Sequence, residues 1–142
     1  MTLCDWQAHS PGTRSELLLF VLVALLAMHP TIFIVADQGL LGAFKQFAPD
    51  AFYYLTIASH FPANHSFSFD GTYATNGFHP LWMIYLSLTF DAFAASPEEQ
   101  VLLTLGSCTL FVAVGLGLAA VATARLTGSR LLGLVSTVPG AY

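Results

Sequence analysis

Apolar positions run without a charged residue through two long stretches, Leu17 to Ala36 and Gln100 to Ala124. Each reaches the ~20 residues needed to cross a ~30 Å hydrocarbon core, so both are expected to be transmembrane helices. A shorter apolar run over 80–95 opens with Trp82 and Tyr85, where interfacial aromatics belong, and is expected to be a second span lying between them. After Arg125 to Arg130, an apolar stretch from Leu131 runs into Pro139-Gly140, too short to cross. The expected fold is therefore an all-α integral membrane protein. It has a tail at 1–16, spans at 17–36, 80–95 and 100–124, and a truncated fourth span at 131–142. The chain is expected to be the N-terminal part of a longer protein. The first span reads as an uncleaved signal anchor, because Arg14 is a weak positive flank and no A-x-A site follows.

The first loop, 37–79, is long enough to need structure of its own, and interfacial amphipathic helices are expected in it. Gly39 to Phe47 suits a short interfacial helix. Over 50–61, Tyr54, Ile57, Ala58 and Phe61 fall at i, i+3, i+4 and i+7, with Ala51 and Leu55 extending the stripe. Pro49 suits a first helical turn and Asp50 a cap or first-turn position. The expected element lies on the membrane surface, apolar face down, and stops at Pro62. Pro30, which has no backbone N–H, predicts a kink in the first span. Asp70-Gly71 is a tight-turn signal. In the third span Ala113/Gly117 and Gly115/Ala119 are small-xxx-small pairs of the kind that let helices approach closely, most simply in ordinary bundle packing.

Composition agrees with a membrane class: 56% of the 142 residues are hydrophobic and 8% charged, against roughly 25% charged in soluble domains. A net charge of −4 leaves no basic patch, which excludes nucleic acid as a partner. Cys4 in the tail and Cys108 within a span give no disulfide pattern. With three spans and the N-terminus inside, Arg14 falls inside and Lys45, Arg125 and Arg130 outside, so the positive-inside count opposes that orientation.

The stretch Asp50-Ala51-Phe52-Tyr53-Tyr54, Ile57-Ala58, His65, Phe69-Asp70-Gly71 and Thr75-Asn76-Gly77-Phe78-His79-Pro80-Leu81-Trp82 resembles, in order and spacing, the polytopic glycosyltransferases of the C superfamily (GT-C). The block from Thr75 to Trp82 is its most specific part. The resemblance implies transfer of a sugar from a polyprenyl-phosphate donor to a cell-envelope acceptor, with inversion at the anomeric carbon. It implies a bacterial inner membrane and an extracytoplasmic first loop, hence a cytoplasmic N-terminus. It implies that membrane lipid and further C-terminal transmembrane helices are partners; no cofactor is expected to be required, a divalent metal being the alternative that no motif supports. An acid at the start of the loop helix would act as general base on the acceptor hydroxyl, kept ionised by the helix N-terminus. The family's first acid is replaced here by Pro49, leaving Asp50, or Asp37 from the end of the first span, as the catalytic candidate. Asn64 and Ser66 stand where glycines usually flank His65.

His79, Asn76, Lys45 and Tyr54 are the candidate substrate-binding residues under this resemblance. A phosphate needs cationic partners, and Lys45 is the only Lys or Arg in the loop. Taken alone, Asp50 is a helix cap, His79 packs at a helix start, Asn76-Gly77 is a turn, and Tyr54 is an interfacial anchor. His60, His65 and His79 fit no strong ligand spacing, so no metal site is expected. Asn64-His65-Ser66 is a formal N-glycosylation acceptor that a bacterial setting would leave unused. The chain as given is expected to be inactive alone. The alternative is a small non-enzymatic membrane protein or assembly partner, packing through its Gly/Ala-rich third helix.

Overall fold

A computed structural model describes residues 13–93 and 96–137. Most of the tail and the last residues of the expected second and fourth spans lie outside them. The described chain is helical: α1 (Thr13–Lys45), α2 (Pro49–Asn64), α3 (Pro80–Phe93), α4 (Pro97–Thr127) and α5 (Arg130–Val135). It divides into two compact units, one formed by 13–32 with 108–137, the other by 33–107.

Two helices are long and apolar enough to cross a membrane, Arg14–Lys45 and Pro97–Thr127, with mean hydropathies of 2.6 and 2.2. They contain the expected spans 17–36 and 100–124. Only 11% of the most apolar window of α1 is buried, unlike a core helix of a soluble body. Leu17, Leu18, Leu22, Leu25 and Leu26 are all exposed, an apolar surface suited to acyl chains. Within 80–95, the described part of α3 has 14 residues, which rise about 21 Å, short of a ~30 Å core.

In the first unit, the start of α1 packs on the end of α4. Leu19 and Val23 are buried with Ala120 and Ala124. Phe20 lies over Gly117 so closely that a Cβ there would sit 2.6 Å from the ring. Glu16 is buried beneath Arg125, which reaches both carboxylate oxygens, from Nε at 2.9 Å and from a terminal nitrogen at 2.5 Å. α5 docks on the same end of α4, its Gly133 against the Ala120 carbonyl, where a Cβ would be only 2.5 Å away.

In the second unit, α2 and α3 form the main packed pair. Leu55, Ile57 and Ala58 of α2 are buried with Met83, Leu86 and Phe90 of α3, and with Ala43, Val101 and Leu105. The α2 stripe expected to face lipid is therefore covered by protein. Its periodicity is as expected, but its partner is α3, whose own apolar face is completed by it. One further expectation, the stop at Pro62, is corrected. α1 runs through Pro30 without leaving helical backbone angles, and its one non-helical residue is Gly39 (φ 59°, ψ −142°), a conformation that only glycine adopts cheaply. Past it the chain turns back, bringing Gly42 against the Ile34 carbonyl. Pro62 does not end α2. The helix continues to Asn64 and closes on left-handed His65, whose N–H reaches the Phe61 carbonyl at 2.7 Å. A proline in the last turn forfeits one hydrogen bond without stopping the chain.

Candidate functional site

The start of α2 is the place where the motif residues gather. Ala48 is extended, Pro49 begins the helix, and no side chain caps it. Asp50 stands exposed in the first turn, where the helix dipole favours a carboxylate, and no described side chain pairs with it.

One turn further on, two adjacent tyrosines hold the returning loop. The Tyr53 hydroxyl hydrogen-bonds Thr75 Oγ1 at 2.9 Å. The Tyr54 hydroxyl accepts the backbone N–H of His79 at 3.0 Å, and the two rings lie nearly parallel, 7° apart, with centroids at 6.3 Å. Phe69 stacks on Tyr53 at 5.3 Å, and Gly77 passes close to the Tyr53 hydroxyl. Asp50 and Tyr54 are four residues apart on α2 and so share a face.

The loop is shaped by its own contacts. Ser68 and Ala74 form an antiparallel bridge, and Thr75 N–H reaches the Phe67 carbonyl at 2.8 Å. Phe67 stacks on Phe61 and meets Phe78 edge-on, which ties both ends of the loop to one hydrophobic anchor. At the tip, Gly71 takes φ 80° and Asp70 accepts backbone N–H groups from Thr72 and Tyr73, both at 2.9 Å. Those bonds, the Tyr73 amide first and the Thr72 amide next, with Ser68 adding a smaller contribution, hold the Asp70 carboxyl well below the usual carboxylate range.

The other sequence candidates divide. Asn76 is exposed in the segment the tyrosines hold, between Thr75 and His79. Asp37 is exposed on α1, just before the Gly39 break, and no described contact brings it to Asp50. Lys45 closes α1 and donates to Gln38 Oε1 at 3.0 Å across that break. The α1 end does reach α2, through Phe44 stacked on Phe52 at 5.9 Å and Phe47 edge-on to it. The three loop histidines are held apart: His60 on the Ser68 carbonyl, His65 edge-on to Phe61, His79 over Tyr54. Among the described residues no group of three His, Cys, Asp or Glu could hold a metal ion.

No family model, curated protein or solved structure matches the chain.

Chemically, the corner offers an exposed carboxylate one helical turn from a phenol and an imidazole, with the exposed amide of Asn76 in the loop alongside. That set can accept a proton from a hydroxyl and hydrogen-bond a polyol. Sequence reasoning missed Tyr53, Thr75 and Phe69 as parts of it. The signal was the doubled tyrosine: on a helix, adjacent aromatics point about 100° apart, so a single lipid-facing face cannot take both.

Proposed function

We propose that this chain carries the extracytoplasmic site of a GT-C-type membrane glycosyltransferase, moving a sugar from a polyprenyl-phosphate donor to a cell-envelope acceptor. The observation that supports it is the joining of the motif's two halves through Tyr54 and His79, beside Asp50. Asp50 takes the proton of the acceptor hydroxyl. The hydroxyl oxygen bonds to the anomeric carbon, whose bond to the lipid phosphate breaks, and the phosphate leaves with the electron pair. Tyr54, His79 and Asn76 orient the sugar, and Lys45 contributes positive charge towards the phosphate. Phosphate binding asks for more cation than one lysine supplies, so further helices bearing Arg or Lys are required partners.

The test is sugar transfer in membranes where the chain is joined by those helices. Asp50→Asn should lower transfer at least 100-fold, within the range of general-base catalysis, and leave donor capture by a photoactivatable polyprenyl-phosphate probe intact. Undiminished transfer would remove Asp50 from the chemistry.

A second reading is an assembly partner. On α4, a Cβ added at Gly115 would meet nothing within 4 Å, and Ala119 is exposed, so this small-residue pair is open to another helix. Gly115→Leu leaving every association of the chain intact would dismiss it.

A further inference from the structure

The contacts between α1 and α4 fix their relative direction. Glu16, three residues into α1, binds Arg125, near the end of α4. Further along α1, Phe20 meets Gly117, earlier in α4. Advancing along one helix retreats along the other, so the two are antiparallel. Three crossings would make α1 and α4 parallel. Glu16 and Arg125 would then sit on opposite faces of the membrane, separated by a ~30 Å core instead of touching. The helix that would supply the extra crossing, α3, has 14 described residues and packs on α2 and on Val101 and Leu105 in the first turns of α4.

We infer that α1 and α4 cross as a two-span antiparallel hairpin, without α3, and that both outer ends lie in the cytoplasm. Arg14, Arg125 and Arg130 then share one face, and Lys45 is the lone cation of the segment between the spans. The positive-inside rule places the three-arginine face in the cytoplasm. The same count opposed the three-span arrangement, because that arrangement separated Arg14 from the other two. The anionic cytoplasmic leaflet attracts this cluster. The hairpin also places the segment joining the two spans, with Asp50, Tyr54 and His79, on the extracytoplasmic side, α3 resting on the first turns of α4. That placement uses no family resemblance and stands or falls apart from the proposed chemistry.

Cysteine labelling in intact cells tests it, in the full chain with Cys4→Ser and Cys108→Ser. Ser66→Cys and Glu98→Cys should react with a membrane-impermeant maleimide from outside. Thr127→Cys should react only after permeabilisation. Outside labelling of Ser66→Cys and Thr127→Cys with protection of Glu98→Cys would restore three crossings and overturn the hairpin, as would Glu98→Cys and Thr127→Cys reacting on one side, and protection of both Ser66→Cys and Glu98→Cys would overturn the cytoplasmic placement of its ends. Independently, the pair Phe20→Cys with Gly117→Cys should form an intramolecular disulfide on mild oxidation. Its absence in protein that retains the labelling pattern of the parent would overturn the antiparallel contact.

Discussion

Tyr54 and His79 are 25 residues apart in the chain and ring over ring in the fold, with the His79 amide donating to the Tyr54 hydroxyl at 3.0 Å. That single hydroxyl fixes where the loop ends and α3 begins. Tyr54→Phe keeps the ring and deletes the acceptor. The expected cost is about 0.5–1.5 kcal/mol, read from thermal unfolding in detergent, with faster hydrogen exchange at the His79 amide. Unchanged exchange there would show that the loop is held by something else.

The loop tip should be acid-sensitive. The Asp70 carboxyl is depressed in the fold, so its ionised form contributes stability that is fully present above the ordinary carboxylate range and lost as pH falls below it. Asp70→Asn keeps an acceptor for the Thr72 and Tyr73 amides but has no charge to titrate. Amide shifts of Thr72 and Tyr73 should move with acid in the parent chain and stay flat in Asp70→Asn.

Two glycines two positions apart on α4 should respond oppositely. Gly117→Val drives methyl groups into the Phe20 ring and should cost about 1–3 kcal/mol, as overpacking does. Gly115→Val meets open space and should stay within about 0.5 kcal/mol of the parent. Adding Phe20→Ala to Gly117→Val should return part of the loss. Equal effects at 115 and 117 would contradict the packing described.

The ion pair of Glu16 and Arg125 should show the asymmetry of a buried acceptor. Arg125→Ala removes both hydrogen bonds from a carboxylate that is 8% exposed and should lower the unfolding midpoint. Glu16→Gln added to it should recover part of that, because the stranded charge is gone. Denaturant unfolding in micelles measures both.

Much of the helical content was legible, for specific reasons. Leu17 to Ala36 and Gln100 to Ala124 are long, mostly apolar runs without a charged residue, and α1 and α4 contain them whole. The stripe through Tyr54, Ile57 and Ala58 marked α2, because its period belongs to the backbone alone. What covers a stripe is a tertiary fact, and Ile57 looks the same against Met83 as against lipid. Proline was over-read at Pro62: a last turn tolerates the lost hydrogen bond, whereas the positive φ at Gly39 interrupts a helix directly. In the site, Asp50 and His79 could be singled out individually. That Tyr53 and Tyr54 clamp Thr75 and His79 could not, since the intervening turns decide the register. Nor could the antiparallel meeting of Phe20 with Gly117 be read from a chain in which many residues separate them.

The pairing of Glu16 with Arg125 spans 109 positions. At a synthesis rate of ~5–20 residues per second, the glutamate exists for roughly 5–20 seconds before its arginine has been made. In that interval the nearest cation to Glu16 along the chain is Arg14, two residues before it. On the two-span reading, the contact that closes the hairpin waits until α4 has been made.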